Sequence, residues 1–231
     1  MIGCLCLHGF TGAPYEVEPL VEYLQERTDW IFRVPTLPGH GETLALKGVT
    51  YDQWIRHAQV ELEDLMQTCD VIYIIGFSMG GLIASYLASI YPIDKLILLS
   101  AAAIYINPKQ LAADIKEMIK DTLQGNLVNN ELFLRYKRKI KETPLSATIQ
   151  FRRLVSFIRP NLSNILVPTF IAQGECDGIV PPKSAEYLYH TIRAKEKKLA
   201  YIKHSKHHIC YCEEKLTLFS QVLDFLAIDQ C

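Results

Sequence analysis

The sequence predicts an α/β protein in which helices cover both faces of a mainly parallel sheet of about six to seven strands. Short apolar runs rich in β-forming residues alternate with longer amphipathic segments along most of the chain. The alternation is interrupted once, between residues 101 and 165, where helical periodicity dominates and no strand is evident. We expect the 231 residues to form one domain, because α/β folds of this length commonly have a single core.

The predicted strands are six short apolar runs: residues 2–7, 31–34, 71–75, 96–99, 167–172 and 199–202. Five longer segments repeat their apolar residues at helical spacing: residues 15–26, 51–67, 80–90, 184–192 and 213–226. In a parallel sheet, the loops at the carboxyl ends of the strands gather the functional groups. We therefore expect the site residues in those loops.

The interruption predicts a small helical cap inserted at about residues 103–163. Three apolar stripes carry this prediction: Leu111, Ile115, Met118, Ile119 and Leu123; Leu132, Phe133, Tyr136 and Ile140; and Leu154, Phe157 and Ile158. An insertion between two strands has to lie over one edge of the sheet. The alternative is a set of ordinary crossover helices, which rarely need so many residues.

The charge balance argues against a nucleic-acid partner, since 24 Lys and Arg residues face 25 Asp and Glu residues. Hydrophobic residues make up 49% of the chain and charged residues 21%, which is typical of a globular protein. No apolar stretch approaches the roughly 20 residues that span a bilayer, so no stable membrane insertion is expected.

The cysteines predict a reducing compartment. There are seven, an odd number, and the pairs Cys4/Cys6 and Cys210/Cys212 have a spacing that is not typical of a disulfide framework. The first residues carry no basic leader, and their apolar run is too short for a signal peptide. A cytoplasmic protein with mostly free thiols is the expectation.

Ser78 is the candidate nucleophile. It lies at the centre of Gly76-Phe77-Ser78-Met79-Gly80, directly after one predicted strand and directly before a predicted helix. This strand-turn-helix context is that of a nucleophile elbow, in which the turn is too tight for side chains at the two glycines. An idle serine in a glycine-rich turn is the competing interpretation.

An acyl-transfer site also needs two N–H donors for the developing oxyanion. The residue after the nucleophile, Met79, is expected to supply one, and the helix that follows adds the positive end of its dipole. The turn His8-Gly9-Phe10-Thr11-Gly12 ends the first predicted strand, and Phe10 is the candidate for the second donor. A merely flexible strand-to-helix turn is the alternative.

Asp177 is the candidate acid, because it follows the strand that ends near residue 172 in a loop fixed by glycines and a proline. Glu175 is the nearest competitor and Asp94 a distant one, since Asp94 precedes its strand. A solvated turn aspartate is the alternative without function.

The candidate bases lie in the loop after the last strand, where His204, His207 and His208 all occur. Spacing alone leaves the choice among them open. Cys210 and Cys212 beside these histidines raise the alternative of zinc, but no second ligand motif accompanies them, and we predict no metal.

These motifs together resemble the α/β-hydrolase superfamily and, within it, bacterial carboxylesterases related to monoacylglycerol lipases. The resemblance covers nearly the whole chain and includes the loop motif Leu37-Pro38-Gly39-His40-Gly41, where His40 is expected to be structural. It implies the α/β-hydrolase fold, a small helical cap over an acyl pocket, and His207 as the base. The sequence departs from the family pattern at Lys206, where glycine is common, and at His208, where valine is common.

The predicted function is hydrolysis of short- to medium-chain acyl esters, including monoacylglycerols, by Ser78, His207 and Asp177, with Phe10 and Met79 as oxyanion donors. No cofactor is expected, and the partner is a small-molecule ester. The same triad also serves thioesterases, acyltransferases and carbon–carbon bond hydrolases. A non-catalytic ligand-binding protein that kept the fold is the remaining alternative.

Overall fold

The computed structural model describes residues 1–104 and 143–227. This part of the chain contains six strands: β1 (Ile2–Leu7), β2 (Ile31–Arg33), β3 (Val71–Phe77), β4 (Lys95–Leu99), β5 (Thr169–Gly174) and β6 (Lys197–Ile202). It also contains six α-helices: α1 (Glu18–Gln25), α2 (Tyr51–Met66), α3 (Met79–Ile90), α4 (Leu145–Ile158), α5 (Lys183–Thr191) and α6 (Lys215–Ala227). Short 3₁₀ helices occupy Pro14–Glu16, Arg159–Asn164 and Ile209–Tyr211.

The six described strands form one parallel sheet in the order β2-β1-β3-β4-β5-β6. β1 lies inside the sheet, paired with β2 on one side and with β3 on the other, so the direction of chain travel across the sheet reverses there. A crevice opens outside the carboxyl ends of the strands at such a switch point. The turn after β1 and the turn after β3 therefore meet at the same place.

Alternation of side chains along the strands separates the core into two layers, one on each face of the sheet. Leu5 and Ile74 contribute to the layer on one face, which α2, α3, α4 and α5 cover. Cys4 and Ile75 contribute to the layer on the opposite face, which α1 and α6 cover. The predicted parallel sheet with helices on both faces is confirmed.

Two prolines explain two of the places where the structure departs from the predicted boundaries. β5 begins at Thr169, because Pro168 has no N–H to donate to the sheet. The helix predicted from residue 15 begins later, as α1, because Pro19 has no N–H with which to bond the Tyr15 carbonyl. That carbonyl instead accepts the Tyr211 hydroxyl at 2.6 Å, which ties the segment before α1 to the loop after β6.

The predicted cap is described at residues 103–104 and in its last third, because residues 105–142 lie outside the described residues. Within that third, α4 buries Phe151 and Leu154 in the core and leaves Leu145, Ile149 and Phe157 exposed. The cap and the single-domain assignment stay predictions. In the described ranges, no helix is both long enough and apolar enough to cross a membrane.

Candidate active site

Ser78 forms the turn between β3, which ends at Phe77, and α3, which begins at Met79. Its φ of 51° places a residue other than glycine in the strained left-handed region. Space explains the flanking glycines. A Cβ on Gly76 would lie 2.4 Å from the Gly80 carbonyl oxygen, and a Cβ on Gly80 would lie 2.3 Å from the Leu7 carbonyl oxygen. The turn is thus packed against itself and against the end of β1.

Backbone hydrogen bonds hold this strained turn. The Ser78 N–H donates to the Leu99 carbonyl at 2.9 Å, and the Ser78 carbonyl accepts the N–H groups of Gly81 and Ala102 at 3.1 and 3.3 Å. These contacts fix Ser78 at the carboxyl edge of the sheet, beside the end of β4. The position of its hydroxyl therefore depends on the packed sheet and α3 rather than on a flexible loop.

Three predicted site residues meet through two contacts. His207 Nε2 lies 3.0 Å from Ser78 Oγ, and His207 Nδ1 lies 2.8 Å from Asp177 Oδ2. A carboxylate can only accept a hydrogen bond, so Nδ1 carries the proton and Nε2 is left to accept the Ser78 hydroxyl. All three residues are buried. This is the geometry that transfers a proton from a hydroxyl to an imidazole.

The Asp177 carboxylate is held by four donors. Oδ1 accepts the N–H groups of Ile179 and Val180, each at 2.9 Å, and Oδ2 accepts Gln173 Nε2 at 2.9 Å besides His207. Burial alone would raise the pKa of Asp177, but His207 and the two backbone N–H groups hold that pKa below its usual value. The carboxylate is therefore ionised and fixed in direction.

The loop that carries Asp177 and the loop that carries His207 pack on each other through their backbones. A Cβ on Gly174 would lie 2.4 Å from the Ser205 carbonyl oxygen, and that same oxygen accepts the Cys176 N–H at 3.0 Å. Glycine is needed at 174 for this close approach. The distance between acid and imidazole is thus set by the main chain.

The competing residues lie elsewhere. His204 and Glu175 are exposed. His208 Nε2 is directed to Glu16 Oε1 at 3.3 Å. Asp94 Oδ2 accepts the Ile72 N–H at 2.7 Å, near the amino end of β3 and so at the opposite edge of the sheet from Ser78. Among the candidate acids and histidines, Asp177 and His207 are the two that the fold brings next to Ser78.

The two predicted oxyanion donors lie on the turns that meet at the switch point. Met79 is the first residue of α3, so its N–H has no acceptor within the helix. The Phe10 N–H belongs to the same peptide group as the Gly9 carbonyl, which accepts His8 Nδ1 at 2.8 Å and the Gly12 N–H at 3.1 Å. In a trans peptide the N–H and C=O point in opposite directions, so these bonds fix the direction of the Phe10 amide.

The protonation of His8 follows from its second contact. The Leu37 N–H donates to His8 Nε2 at 3.0 Å, so Nε2 is the acceptor. Nδ1 therefore carries the proton and donates a hydrogen bond to the Gly9 carbonyl. His8 is fully buried, and its ring lies 5.2 Å from that of His40, which is also buried. Both histidines pack within the turns that surround the site.

Sequence reasoning missed two contributors to this region. Gln173 lies in the strand before the acid loop and gave no signal beyond its proximity to Asp177. Glu16 had no local signal at all, because its partner His208 is 192 residues away in the sequence. A polar residue inside a predicted buried strand, such as Gln173, is the signal that could have been used.

In the described residues, no group of three or more His, Cys, Asp or Glu side chains is placed to hold a metal. Cys210 is buried, and burial raises the pKa of its thiol far above the usual range.

The fold, the strained serine turn and the serine–imidazole–carboxylate series define an α/β-hydrolase. The chain belongs to the Hydrolase_4 family, described as serine aminopeptidase, S33, whose model matches residues 3–215. The predicted family and fold are thereby confirmed.

Known relatives agree with this assignment. The chain is 27% identical over 234 residues to a thermostable monoacylglycerol lipase of Bacillus sp. (strain H-257), with 98% of this chain and 90% of that protein covered. It is 25% identical to a carboxylesterase of Bacillus subtilis (strain 168), with 96% and 91% covered. The solved structure reported for the metagenome-derived lipolytic enzymes LipS and LipT matches 97% of this chain and 93% of its own, with a TM-score of 0.79 and 23% identity, and shows likeness of fold alone. The predicted enzyme class, a carboxylic ester hydrolase, is confirmed at the level of the family and these relatives.

Proposed function

We propose that this protein is a serine carboxylesterase that cleaves short- to medium-chain acyl esters with Ser78 as nucleophile, His207 as base and Asp177 as the group that orients His207. The observation that carries the proposal is the continuous series from Ser78 Oγ to His207 at 3.0 Å and from His207 to Asp177 at 2.8 Å. All three residues lie on loops at the carboxyl edge of the sheet.

In the first half of the reaction, Ser78 Oγ attacks the ester carbonyl carbon and passes its proton to His207 Nε2. The carbonyl oxygen gains negative charge, which the N–H groups of Phe10 and Met79 stabilise together with the amino end of α3. The Asp177 carboxylate stabilises the imidazolium, because it accepts a hydrogen bond from the Nδ1–H throughout. His207 then donates its Nε2 proton to the leaving alkoxide, and an acyl-enzyme remains.

In the second half, His207 Nε2 takes a proton from water, whose oxygen attacks the acyl carbon of the Ser78 ester. The tetrahedral intermediate again places its oxygen at the two amides. Collapse returns the proton from His207 to Ser78 Oγ and releases the carboxylic acid. No step requires a group beyond these side chains, the two amides, the ester and water.

A partly buried aromatic side chain on the oxyanion turn, Phe10, supports an acyl substrate. Phe10 lies on the oxyanion turn, and its ring stacks on that of Phe151 of α4 with centroids 5.1 Å apart and an angle of 10° between the planes. The Trp54 ring lies 5.9 Å from that of Phe10. Phe151 and Trp54 are buried and support the Phe10 ring, which is only partly buried and can remove apolar area of an acyl chain from water. The relatives named for monoacylglycerol lipase and carboxylesterase activity favour esters of this kind.

The test is hydrolysis of nitrophenyl butyrate by the wild type and by Ser78→Ala. We expect the variant to lose about 10⁴-fold or more in kcat, since removal of a serine nucleophile abolishes the acyl-enzyme route. Ser220→Ala, on α6 and away from the site, is the matched control and should retain wild-type activity.

Labelling with a fluorophosphonate checks the same claim without a substrate. The wild type and Ser220→Ala should form an adduct, and Ser78→Ala should not. Equal release of nitrophenol by the wild type and Ser78→Ala would contradict the proposal, and absence of an adduct on the wild type would favour a binding protein. A chain-length series of esters, run beside matched thioesters, then tests the preference for oxygen esters.

A further inference from the structure

Glu16 is a buried carboxylate that the proposed reaction does not use. Its Oε2 accepts the Gly9 N–H at 2.8 Å, and its Oε1 lies 3.3 Å from His208 Nε2. Burial would raise the pKa of Glu16, but the neighbouring His208 and the Gly9 N–H hold that pKa below its usual value. Glu16 is therefore ionised and only accepts hydrogen bonds, so His208 Nε2 carries the proton that they share.

One end of this pair holds the turn that carries the Phe10 amide. The Gly9 N–H is bound by Glu16, while the Gly9 carbonyl is bound by His8, so this residue is fixed on both sides. The carboxylate also lies directly against Gly12, where a Cβ would come within 1.8 Å of Glu16 Oε2. The Phe10 N–H belongs to the peptide group that joins Gly9 to Phe10. Its direction thus depends on Gly9, whose own N–H is bound to Glu16.

The other end holds the loop that carries the base. The His207 and His208 rings lie 5.8 Å apart, and the Phe77 ring packs against both, at 4.9 and 5.6 Å. Next to the Glu16–His208 contact, the Tyr211 hydroxyl donates to the Tyr15 carbonyl at 2.6 Å. Two side-chain contacts therefore join the segment at residues 15–16 to the segment at residues 208–211.

We propose that Glu16 and His208 are positioning residues. Their contact keeps the turn that carries the oxyanion donor in a fixed position relative to the loop that carries His207. This inference rests on the proposed function, because it gives the pair a purpose only if the Phe10 amide and His207 act on one ester. Catalysis by preorganised donors is sensitive to displacements of a fraction of an ångström. If the turn and the loop are held less firmly relative to each other, the rate of the chemical step falls more than substrate binding weakens.

The test compares Glu16→Gln, which keeps the size of the side chain, with His208→Val and the double variant. We expect each single variant to lose about tenfold in kcat with KM within about twofold, because ground-state contacts of the ester are unchanged. We expect the double variant to lose no more than the larger single loss, since both changes remove one shared contact. Affinity for phenylboronic acid, which becomes tetrahedral on Ser78, should fall in parallel with kcat.

Glu18→Gln and His204→Val are the matched controls, as both residues are exposed and lie within four residues of Glu16 and His208 in the sequence. They should leave kcat and boronate affinity at the wild-type values. All variants are compared well below their thermal unfolding midpoints, so that loss of folded protein does not lower kcat. Unchanged kcat in both single variants, a rise in KM alone, or additive losses in the double variant would overturn the inference. A wild type no faster than Ser78→Ala would instead contradict the proposed function, and this inference with it.

Discussion

The protein holds two neighbouring carboxylate–imidazole pairs, Asp177 with His207 and Glu16 with His208, which use opposite nitrogens. His207 faces its carboxylate with Nδ1 at 2.8 Å and presents Nε2 to Ser78. His208 faces its carboxylate with Nε2 at 3.3 Å. The first pair has the nitrogen farther from the main chain available for chemistry, whereas in the second pair that nitrogen is already engaged.

The carboxylates of the two pairs also differ in support. Asp177 has four donors, two of them backbone N–H groups three residues or fewer away along the chain. Glu16 is held by the Gly9 N–H and His208, which belong to two different turns. The Asp177 pair is thus fixed mainly by its own loop, while the Glu16 pair connects separate loops. The same chemical pair orients a base in one place and links two segments in the other.

The two pairs should differ most in how far kcat falls when the imidazole of each pair is removed. His207→Ala should lower kcat for nitrophenyl butyrate by about 10⁴-fold or more, because Ser78 loses its base. His208→Ala should lower it by roughly tenfold, by the loss of positioning alone. Steady-state kinetics of both variants, with His204→Ala as the exposed control, measures the ratio. Similar losses for His207→Ala and His208→Ala would remove the distinction between the pairs.

Much of the fold was predictable from the sequence, because burial leaves a local pattern. Buried parallel strands appear as short apolar runs, and all six predicted runs lie in or overlap a strand of the described structure. The glycines on both sides of Ser78 predicted a tight turn for the steric reason that the structure displays. Two of the boundaries that moved did so at Pro168 and Pro19, where the missing N–H decides the outcome.

The histidine was less predictable, because the orientation of a ring leaves no trace in residue spacing. His207 and His208 are adjacent in sequence, and only the fold directs one ring to Ser78 and the other to Glu16. Phe10 and Met79 were placed by the positions of two turns, and their roles stay predictions. Glu16 could not be predicted from the local sequence pattern, because its partner His208 is brought next to it only when the whole sheet has assembled.

An intermediate effect is expected on stability in acid. The pKa values of Asp177 and Glu16 are lowered in the folded protein. Each carboxylate therefore contributes stability above the pKa of its unfolded form, and this contribution is lost as the pH falls from about 4 through the folded-state pKa. Urea unfolding followed by tryptophan fluorescence should give a free energy of unfolding that declines over this range.

Glu16→Gln and Asp177→Asn separate the two contributions to that decline. Each variant should be less stable than the wild type near neutral pH and should lose less stability on acidification, because one titrating carboxylate is gone. Glu18→Gln, whose carboxylate is exposed, should follow the wild-type curve. A Glu16→Gln variant with the full acid dependence of the wild type would mean that the Glu16 pair contributes nothing to it.

The smallest effect is expected from Gln173, which hydrogen-bonds to Asp177 and not to His207. Its Nε2 donates to Asp177 Oδ2 at 2.9 Å and to the Val180 carbonyl at 3.1 Å, and its side chain is fully buried. Gln173→Met should lower the free energy of unfolding by about 1–3 kcal/mol, the cost of unpaired buried groups. It should lower kcat less than tenfold, because three donors still hold the carboxylate. Gln67→Met, at an exposed position, is the control. A kcat loss as large as that of Asp177→Asn would show that Gln173, rather than the two backbone N–H groups, fixes the direction of the acid.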